Sequence, residues 1–440
     1  MRIRTKLQYR LIVLTLLGTL LVNTCASPPI DRYDHIYIPE DAYGIAHAGE
    51  DPEDYMFLYA VGAQWIRQTF RWDSINPAPG EWDFDRFDRV MDFADEHRIK
   101  VIAVLAYDVG WIHTDRKPAR YIDKDQLAYY LEYVAQTVTH YKGRVDAWEI
   151  WNEPNVTFWK GSNQEFYRLC LAAIPLIKEI DPETPVLVGA TFRVPSKFIH
   201  GLIDSRVLEA ADALSIHPYG INPAETARLI QKAISIVEEN HPGKQVWITE
   251  IGYPTRGIFP TKAGGSNFTP YVIKTLVAAV TSGIRVTVWF RHFDKPPDSF
   301  FQRHLDSGIA FGLADCNGAL KDGGTAFSLF TRYTAGCIFD PDGVNFSLPA
   351  AVASGIRSAL FRNQKEGSAF LVVWMESDSS LEICIRDGKP GNQTIDILEI
   401  ELKNGLKTSS GDRWYGLLDS RPRLYLIRNI GESRLEIVRE

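Results

Sequence analysis

The sequence predicts an α/β protein, a (β/α)8 TIM barrel followed by a small C-terminal all-β domain of sandwich-like form. Two observations predict this fold class. From residue 31 onward, short apolar runs alternate with longer amphipathic segments, which is the pattern of repeated βα units. After residue 340 the alternation gives way to β-like runs separated by Gly, Asn, Asp and Ser turns.

Eight apolar runs are candidate barrel strands: 43–46, 64–70, 101–106, 145–151, 186–190, 213–216, 246–249 and 286–290. Between and after them, apolar residues at three- and four-residue intervals predict helices at 84–97, 125–141, 163–180, 223–239, 269–281 and 325–333. Eight strands joined by helices close naturally into a barrel, whereas an open doubly wound sheet usually brings a glycine-rich nucleotide loop, which we do not find in this sequence.

Four later runs, 368–374, 381–385, 394–402 and 423–427, predict the strands of the second domain. We therefore expect a barrel domain at 27–340 and a small β domain at 341–440 that packs on the barrel.

Residues 1–26 have the composition of a secretory or lipoprotein signal. A basic start precedes the apolar run 11–22, which is shorter than the roughly 20 residues of a membrane span. We therefore expect export to the periplasm or the extracellular space. Cleavage after Ala26 would discard Cys25, whereas lipidation of Cys25 would anchor the chain to a membrane, and the sequence leaves both alternatives open.

Charge and cysteine content argue against several other classes of protein. The formal net charge of −7 is small for 440 residues, and acidic and basic residues are mixed along the chain, which disfavours nucleic-acid binding. The cysteines that would follow the signal show no metal spacing such as C-x-x-C. We expect no metal, no cofactor and a monomeric protein.

Two strand ends carry carboxylates in similar surroundings. The run 148–155, Trp-Glu-Ile-Trp-Asn-Glu-Pro-Asn, places Glu153 where a proline must end the fourth strand. The run 245–254, Gln-Val-Trp-Ile-Thr-Glu-Ile-Gly-Tyr-Pro, places Glu250 near the end of the seventh. Since active sites of α/β barrels lie at the carboxyl ends of the strands, we expect these two glutamates to face each other across a pocket.

The run 148–155 resembles the acid/base motif of the retaining glycoside hydrolases of clan A, and its wording is closest to the family thirty-nine-like members, which include β-xylosidases and exopolysaccharide hydrolases. In that clan the acid/base glutamate follows an asparagine on strand four and the nucleophile ends strand seven. The resemblance covers roughly 43–333 and implies that Glu153 is the general acid/base and Glu250 the nucleophile.

The resemblance also implies roles for polar residues near the pair. Arg67 on the second strand is expected to donate to Glu250; an ion pair with Glu149 is the structural alternative, and the two are compatible. Asn152 is expected to contact the sugar 2-hydroxyl, with a turn residue as the alternative.

Histidines and a tyrosine at other strand ends complete the predicted pocket. Tyr219 or His217, which follow strand six in Ser-Ile-His-Pro-Tyr, would hydrogen-bond Glu250; a turn-forming His-Pro is the alternative. His47, just after strand one, is a candidate pocket donor or a structural histidine.

Three tryptophans are candidate sugar platforms. Trp289, which ends strand eight, is expected to form the floor of the subsite, because the C–H faces of a pyranose stack on an indole. Trp111 and Trp159, in the loops after strands three and four, are candidate outer platforms, although many of the eleven tryptophans must serve packing alone.

The function that these residues predict is retaining hydrolysis of β-glycosides in an oligosaccharide or polysaccharide, by double displacement through a covalent glycosyl-enzyme. Two alternatives stay open. A transglycosylase would use the same residues with a sugar acceptor, and a catalytically silent carbohydrate-binding protein would keep the aromatic residues alone.

Overall fold

A computed structural model describes residues 35–49, 51, 53–256, 263–264, 267–296, 307–388, 395–401, 405–408 and 413–439. The predicted signal at 1–26, with Cys25, lies outside these residues. Export of the protein and its anchoring through Cys25 therefore remain predictions. Among the helices described, none combines the length and the apolar character that crossing a membrane requires.

The predicted barrel is confirmed. Strand β1 (Ile36–Tyr37) precedes it, and eight parallel strands close it. They are β2 (Tyr43–Ala46), β3 (Trp65–Arg71), β4 (Lys100–Ala106), β5 (Ala147–Ile150), β6 (Val186–Phe192), β7 (Ala213–His217), β8 (Gln245–Ile251) and β9 (Thr287–Trp289).

The pairing of β2 with β9 closes the ring, with Tyr43 opposite Thr287. Each strand lies within about two residues of its predicted run, because a buried parallel strand reads as a continuous apolar run.

Helices surround the barrel and cover the outward faces of its strands. They are α1 (Glu53–Val61), α2 (Trp72–Ile75), α3 (Asp85–His97), α4 (Leu127–Tyr141), α5 (Asn163–Ile180), α6 (Ser196–Asp204), α7 (Val207–Ala210), α8 (Pro223–Asn240), α9 (Phe268–Val280), α10 (Asp322–Thr334) and, after the barrel, α11 (Ala350–Ala353). Short 3-10 turns lie at Gly110–Ile112 and Ser307–Ile309.

A second region consists of two mostly antiparallel sheets, as predicted for the C-terminal part. Its strands are β10 (Ile338–Asp340), β11 (Val344–Ser347), β12 (Ile356–Asn363), β13 (Ser368–Met375), β14 (Leu381–Asp387), β15 (Asp396–Glu401), β16 (Gly405–Thr408), β17 (Arg413–Leu418), β18 (Arg423–Arg428) and β19 (Leu435–Arg439). One sheet has the order β1-β10-β12-β13-β18-β15-β16 and the other β11-β19-β14-β17, and their facing sides share one apolar core.

The N-terminal strand β1 belongs to the larger of these sheets, since Ile36 pairs with Phe339. The sheet therefore takes strands from both sides of the domain boundary expected at residue 340, which itself stays a prediction. The outer face of this sheet packs on α10, where Phe330 meets Phe361 and Phe370 with ring centroids 5.7 and 6.1 Å apart.

Candidate active site

Both predicted carboxylates lie at the carboxyl end of the barrel. Glu250 is the sixth residue of β8, and Glu153 follows β5, the fourth barrel strand, by three residues. The backbone turns sharply after β5, because Trp151 and Glu153 adopt left-handed φ values of 66° and 46°. The amide of Glu153 donates to the carbonyl of Ala190 on β6 (2.9 Å), which holds this uncommon conformation in place.

The two carboxylates converge on the mouth of the barrel. One oxygen of Glu153, one oxygen of Glu250 and one ring nitrogen of His217 all lie within 4.8 Å of one another. The side chains of Glu153 and Glu250 are 11% and 13% exposed, so both are largely enclosed by protein yet accessible from the cleft. This spacing is that of two groups acting on one bond.

Arg67 links three of the polar side chains. Its Nε donates to Glu149 (2.7 Å), Nη1 to Glu250 (3.1 Å) and Nη2 to the Oδ1 of Asn152 (2.8 Å). Both alternatives from the sequence therefore hold at once. Burial alone would lower the pKa of Arg67, but the charges of Glu149 and Glu250 outweigh it and raise the pKa above its usual value.

The two glutamates have different partners. The Tyr219 hydroxyl donates to Glu250 (2.7 Å), whereas His217 Nδ1 lies 3.0 Å from Glu153. Burial, followed by the charge of Glu250, raises the pKa of Tyr219 well above its usual value, which keeps the phenol protonated as a donor. Of the two residues predicted to hydrogen-bond Glu250, Tyr219 does so, while His217 bonds Glu153.

His217 has a second partner that the sequence analysis missed. Its Nε2 lies 3.2 Å from the hydroxyl of Thr249, the residue before Glu250. A hydroxyl at Nε2 fixes how the ring is turned. Thr249 is fully buried and directly precedes Glu250 on β8. A polar residue next to a strand-end glutamate was the feature of the sequence that could have identified it.

Tyr107 is a second residue that sequence reasoning missed. It directly follows β4, is partly exposed, and hydrogen-bonds Asn152. Burial raises the pKa of Tyr107, so its hydroxyl stays protonated. A polar aromatic residue at a barrel strand's carboxyl end was the signal that would have found it. Asn152 is thus held from two sides, and its contact with a sugar stays a prediction.

The prediction for Trp289 is wrong. Its ring is fully buried between the barrel and the helices, where it meets Phe268 and Phe327 at 6.5 and 6.0 Å. Side chains alternate along a strand, so the next residue, Phe290, points to the barrel mouth instead. Phe290 is partly exposed and meets the ring of His47 edge-on at 5.4 Å.

The outer tryptophans differ from each other. Trp159 is 5% exposed and packs edge-on against Trp151 at 5.0 Å, so it belongs to the core and forms no platform. Trp111 is partly exposed, and its indole nitrogen donates to the carbonyl of Asn76 (3.0 Å). No contact joins Trp111 to the two glutamates within the described residues, and its platform role stays a prediction.

His47 is exposed to solvent, and its ring meets that of Phe290 edge-on. Partial loss of solvation, followed by the positive charges of Arg291 and Arg67, lowers the pKa of His47. The ring is therefore neutral at ordinary pH and offers one donor and one acceptor to the cleft.

The cluster of Glu153, His217 and Glu250 is small enough to hold a metal ion. However, Glu250 already accepts hydrogen bonds from Arg67 and Tyr219, and Glu153 is already bonded to His217. A guanidinium directly on one ligand opposes a second cation. This set of donors suits proton transfer and charge stabilisation better than metal binding.

Sequence comparison matches parts of this chain. Residues 60–167 match the model of glycosyl hydrolase family 10, a stretch that contains Glu153 but ends before Glu250. A β-1,4-xylanase from Dictyoglomus thermophilum is 32% identical over 87 residues, which is 19% of this chain. The match spans only 23% of that xylanase.

Structural comparison covers nearly the whole chain. A family 39 glycoside hydrolase from the gut symbiont Bacteroides cellulosilyticus WH2 superposes with a TM-score of 0.69 at 18% identity, covering 89% of this chain and 81% of that one. A monomeric β-xylosidase from Caulobacter crescentus CB15 gives 0.62 at 14% identity, covering 89% and 97%. Together with the family 10 match, this confirms the predicted resemblance of the chain to glycoside hydrolases built on a (β/α)8 barrel.

Proposed function

We propose that this protein is a retaining β-glycoside hydrolase that works by double displacement. The observation that carries the proposal is the separation of the two carboxylates, whose nearest oxygens lie within 4.8 Å. Retaining enzymes keep their carboxyl groups about 5–5.5 Å apart, whereas inverting enzymes need about 6.5–9.5 Å to admit a water molecule. The spacing leaves room for a covalent intermediate and favours retention.

Glu250 is the nucleophile in this mechanism. Arg67 and Tyr219 each donate to one of its two oxygens, which orients the carboxylate and fixes the direction of attack on the anomeric carbon. Glu250 loses its negative charge when it forms the glycosyl bond and regains it when the intermediate is hydrolysed. Arg67 and Tyr219 remain in place and stabilise the carboxylate as it leaves.

Glu153 is the general acid and then the general base. It first gives its proton to the glycosidic oxygen, and in the second step removes a proton from the water that attacks the glycosyl-enzyme. Its oxygen at His217 is fixed by that bond, so the other oxygen is left for the substrate. Asn152 directly precedes Glu153 and is hydrogen-bonded to Arg67 and Tyr107. We assign to its side chain the hydrogen bond with the 2-hydroxyl of the sugar.

The substrate that fits this proposal is the O-glycosidic bond of an oligosaccharide or polysaccharide. The relatives with partial or remote similarity include a xylanase and a β-xylosidase, and the cleft shares their barrel architecture. Architecture alone does not choose a sugar, because the loops after each strand build the specificity.

The test is incubation of the protein with activated aryl β-glycosides and β-configured 2-fluoro sugars, followed by intact mass and by NMR of the product anomer. We expect a covalent adduct in the wild type that is lost in Glu250→Ala. Glu153→Ala should lose about 10²–10⁴-fold in rate on poor leaving groups and much less on activated ones, since only the former need the acid.

Glu209→Ala is the matched control, because Glu209 is an exposed glutamate on α7, away from the strand ends. Its activity should equal that of the wild type. Product of inverted configuration, or an adduct that persists in Glu250→Ala, would overturn the proposed mechanism.

A further inference from the structure

The side of the cleft opposite Glu153 faces the sugar that is attacked. Glu153 follows the fourth barrel strand, and β9, the eighth, lies across the ring from it. Under the proposed function, on which this inference rests, Glu153 meets the leaving oxygen. The sugar whose anomeric carbon Glu250 attacks must then extend away from Glu153, towards the ends of β9 and β2.

Three side chains form this opposite side: His47 after β2, and Phe290 and Arg291 after β9. The ring of Phe290 lies 5.4 Å from that of His47, and the guanidinium carbon of Arg291 lies 6.0 Å from the same Phe290 ring. His47 and Arg291 therefore flank an aromatic surface that is partly exposed to the cleft.

Arg291 has an incompletely compensated charge. Within the described residues it forms no ion pair, and its Nε is buried without a hydrogen-bond partner. The charges of two carboxylates, Asp294 and Asp54, act on Arg291. Asp294 is already paired with Lys321 (2.7 Å), and Asp54 accepts a hydrogen bond from the backbone amide of Gly49 (2.8 Å). Burial, which these carboxylates only partly offset, lowers the pKa of Arg291.

Several basic residues lie near this side of the cleft. Arg291, Arg67 and Lys295 act on His47, and their positive charges lower its pKa. Lys295 is exposed, four residues beyond Arg291. The acidic residues nearest to Arg291, Asp54 and Asp294, are buried, so the charge that this part of the chain presents to solvent is positive.

We propose that the sugar attacked by Glu250 is a uronic acid, whose carboxylate pairs with the guanidinium of Arg291. A planar guanidinium matches a carboxylate better than it matches the hydroxymethyl group of a neutral hexose. Lys295 adds positive charge, the neutral His47 hydrogen-bonds a ring hydroxyl, and Phe290 packs on the C–H face of the sugar. A bound carboxylate would supply the counter-charge that Arg291 lacks in the protein.

The experiment compares aryl β-glycosides in matched pairs: glucoside with glucuronide, galactoside with galacturonide, and mannoside with mannuronide, each uronide also as its methyl ester. For the configuration that is turned over, we expect kcat/KM for the uronide to exceed that of its neutral partner by at least about tenfold, the order of one charge-assisted hydrogen bond. The methyl ester should behave like the neutral sugar.

Variants assign the preference to Arg291. Arg291→Gln should lower kcat/KM for the uronide by about 10–100-fold and leave the neutral sugar within about twofold, while Arg291→Lys should keep part of the preference. Arg71→Gln is the matched control, because Arg71 stands at the same end of the barrel but is already paired with Asp73. Its preference should equal that of the wild type.

The outcomes separate this inference from the proposed function. Turnover of neutral glycosides with an adduct on Glu250, but no preference for the uronide, overturns the inference and leaves the proposed function standing. Equal losses on both sugars in Arg291→Gln, with unchanged thermal unfolding, also overturn it. No turnover and no adduct on any glycoside, uronides included, overturns the proposed function and the inference together.

Discussion

Arg67 is the residue that connects the buried and the reactive carboxylates. Glu149 is fully buried and depends on Arg67 for its counter-charge, at 2.7 Å. We expect Arg67→Gln to destabilise the protein by about 3–5 kcal/mol, because it leaves this carboxylate unpaired. It should also lower kcat by about 10²–10³-fold through the lost donor to Glu250. Urea unfolding and steady-state kinetics measure the two effects.

Glu149→Gln provides the comparison for this prediction. It removes the buried charge and keeps the arginine beside Glu250, so the loss in kcat should be much smaller than in Arg67→Gln. One oxygen of Glu149, Oε1, has no hydrogen-bond partner within the described residues, and an amide at this position leaves only a weaker acceptor for Arg67. Equal kinetic losses in the two variants would contradict a direct role of Arg67 at Glu250.

Thr249 controls the ring of His217 through its hydroxyl. The hydroxyl lies 3.2 Å from Nε2 while Nδ1 lies 3.0 Å from Glu153, so the hydroxyl fixes how the ring is turned towards Glu153. Thr249→Val removes this bond and lets the ring turn away. We expect kcat to fall about tenfold, the order of one hydrogen bond, with KM within about twofold, and Thr249→Ser to restore most of the rate. Steady-state kinetics measure both constants, and an unchanged kcat in Thr249→Val would show that Glu153 alone fixes the ring.

At the scale of elements, Asn155 fastens the loop that carries Glu153 to the neighbouring strand. Its amide nitrogen donates to the Phe192 carbonyl (3.0 Å), and its oxygen accepts from the Phe192 amide (2.9 Å). Asn155→Ala removes both bonds, and we expect a loss of about 1–3 kcal/mol in stability. Because Glu153 loses its fixed position, kcat should fall more than KM rises.

Asn155→Asp tests that interpretation, since an aspartate keeps the bond from the Phe192 amide and loses the other. Its stability and kcat should lie between those of the wild type and Asn155→Ala. An Asn155→Ala variant that unfolds at the wild-type urea concentration would show that the hydrogen bond of Glu153 to Ala190 is sufficient to hold the loop.

The barrel strands and the two glutamates were predictable because apolar runs and strand-end carboxylates are local signals. The position of Trp289 was not predictable, because a strand buried on both faces is apolar at every residue. The sequence therefore does not reveal which alternate residues point into the barrel. The preference of His217 for Glu153 and the pairing of Ile36 with Phe339 depend on residues far apart in the chain. Such contacts follow from closure of the fold and leave no local pattern.

The buried His292 makes the stability of the whole protein depend on pH. Burial, followed by the charge of Arg291, lowers the pKa of His292 from 6.5 to about 4. Between these values the unfolded chain binds a proton that the folded protein does not. Stability is therefore complete above pH 6.5 and decreases as the pH falls towards 4, by up to about 3 kcal/mol for this one residue.

Urea unfolding at pH 7 and pH 4.5 measures this dependence. We expect His292→Gln to be less sensitive to the change in pH than the wild type, because it has no proton to bind at this position. His47 contributes in the same direction and remains in the variant, so the dependence should be reduced and not abolished. A variant with the full wild-type dependence would place the titration elsewhere.

The barrel and the larger β-sheet share one apolar core, which predicts that they unfold together. Phe370 on β13 stacks on Tyr333 of α10 at 5.4 Å, and its neighbour along the strand, Leu371, faces the core between the two sheets.

Phe370→Ala should lower the free energy of unfolding by about 3–5 kcal/mol and Leu371→Ala by about 2–5 kcal/mol. Because the shared core couples the two regions, each variant should lower the thermal midpoint of catalytic activity as well as that of the β-sheets. Calorimetry and residual activity, recorded over the same temperatures, should give one coincident transition. If activity instead survives above a first transition in Leu371→Ala, the barrel is stable without the sheets, and the contacts of Phe370 do not couple them.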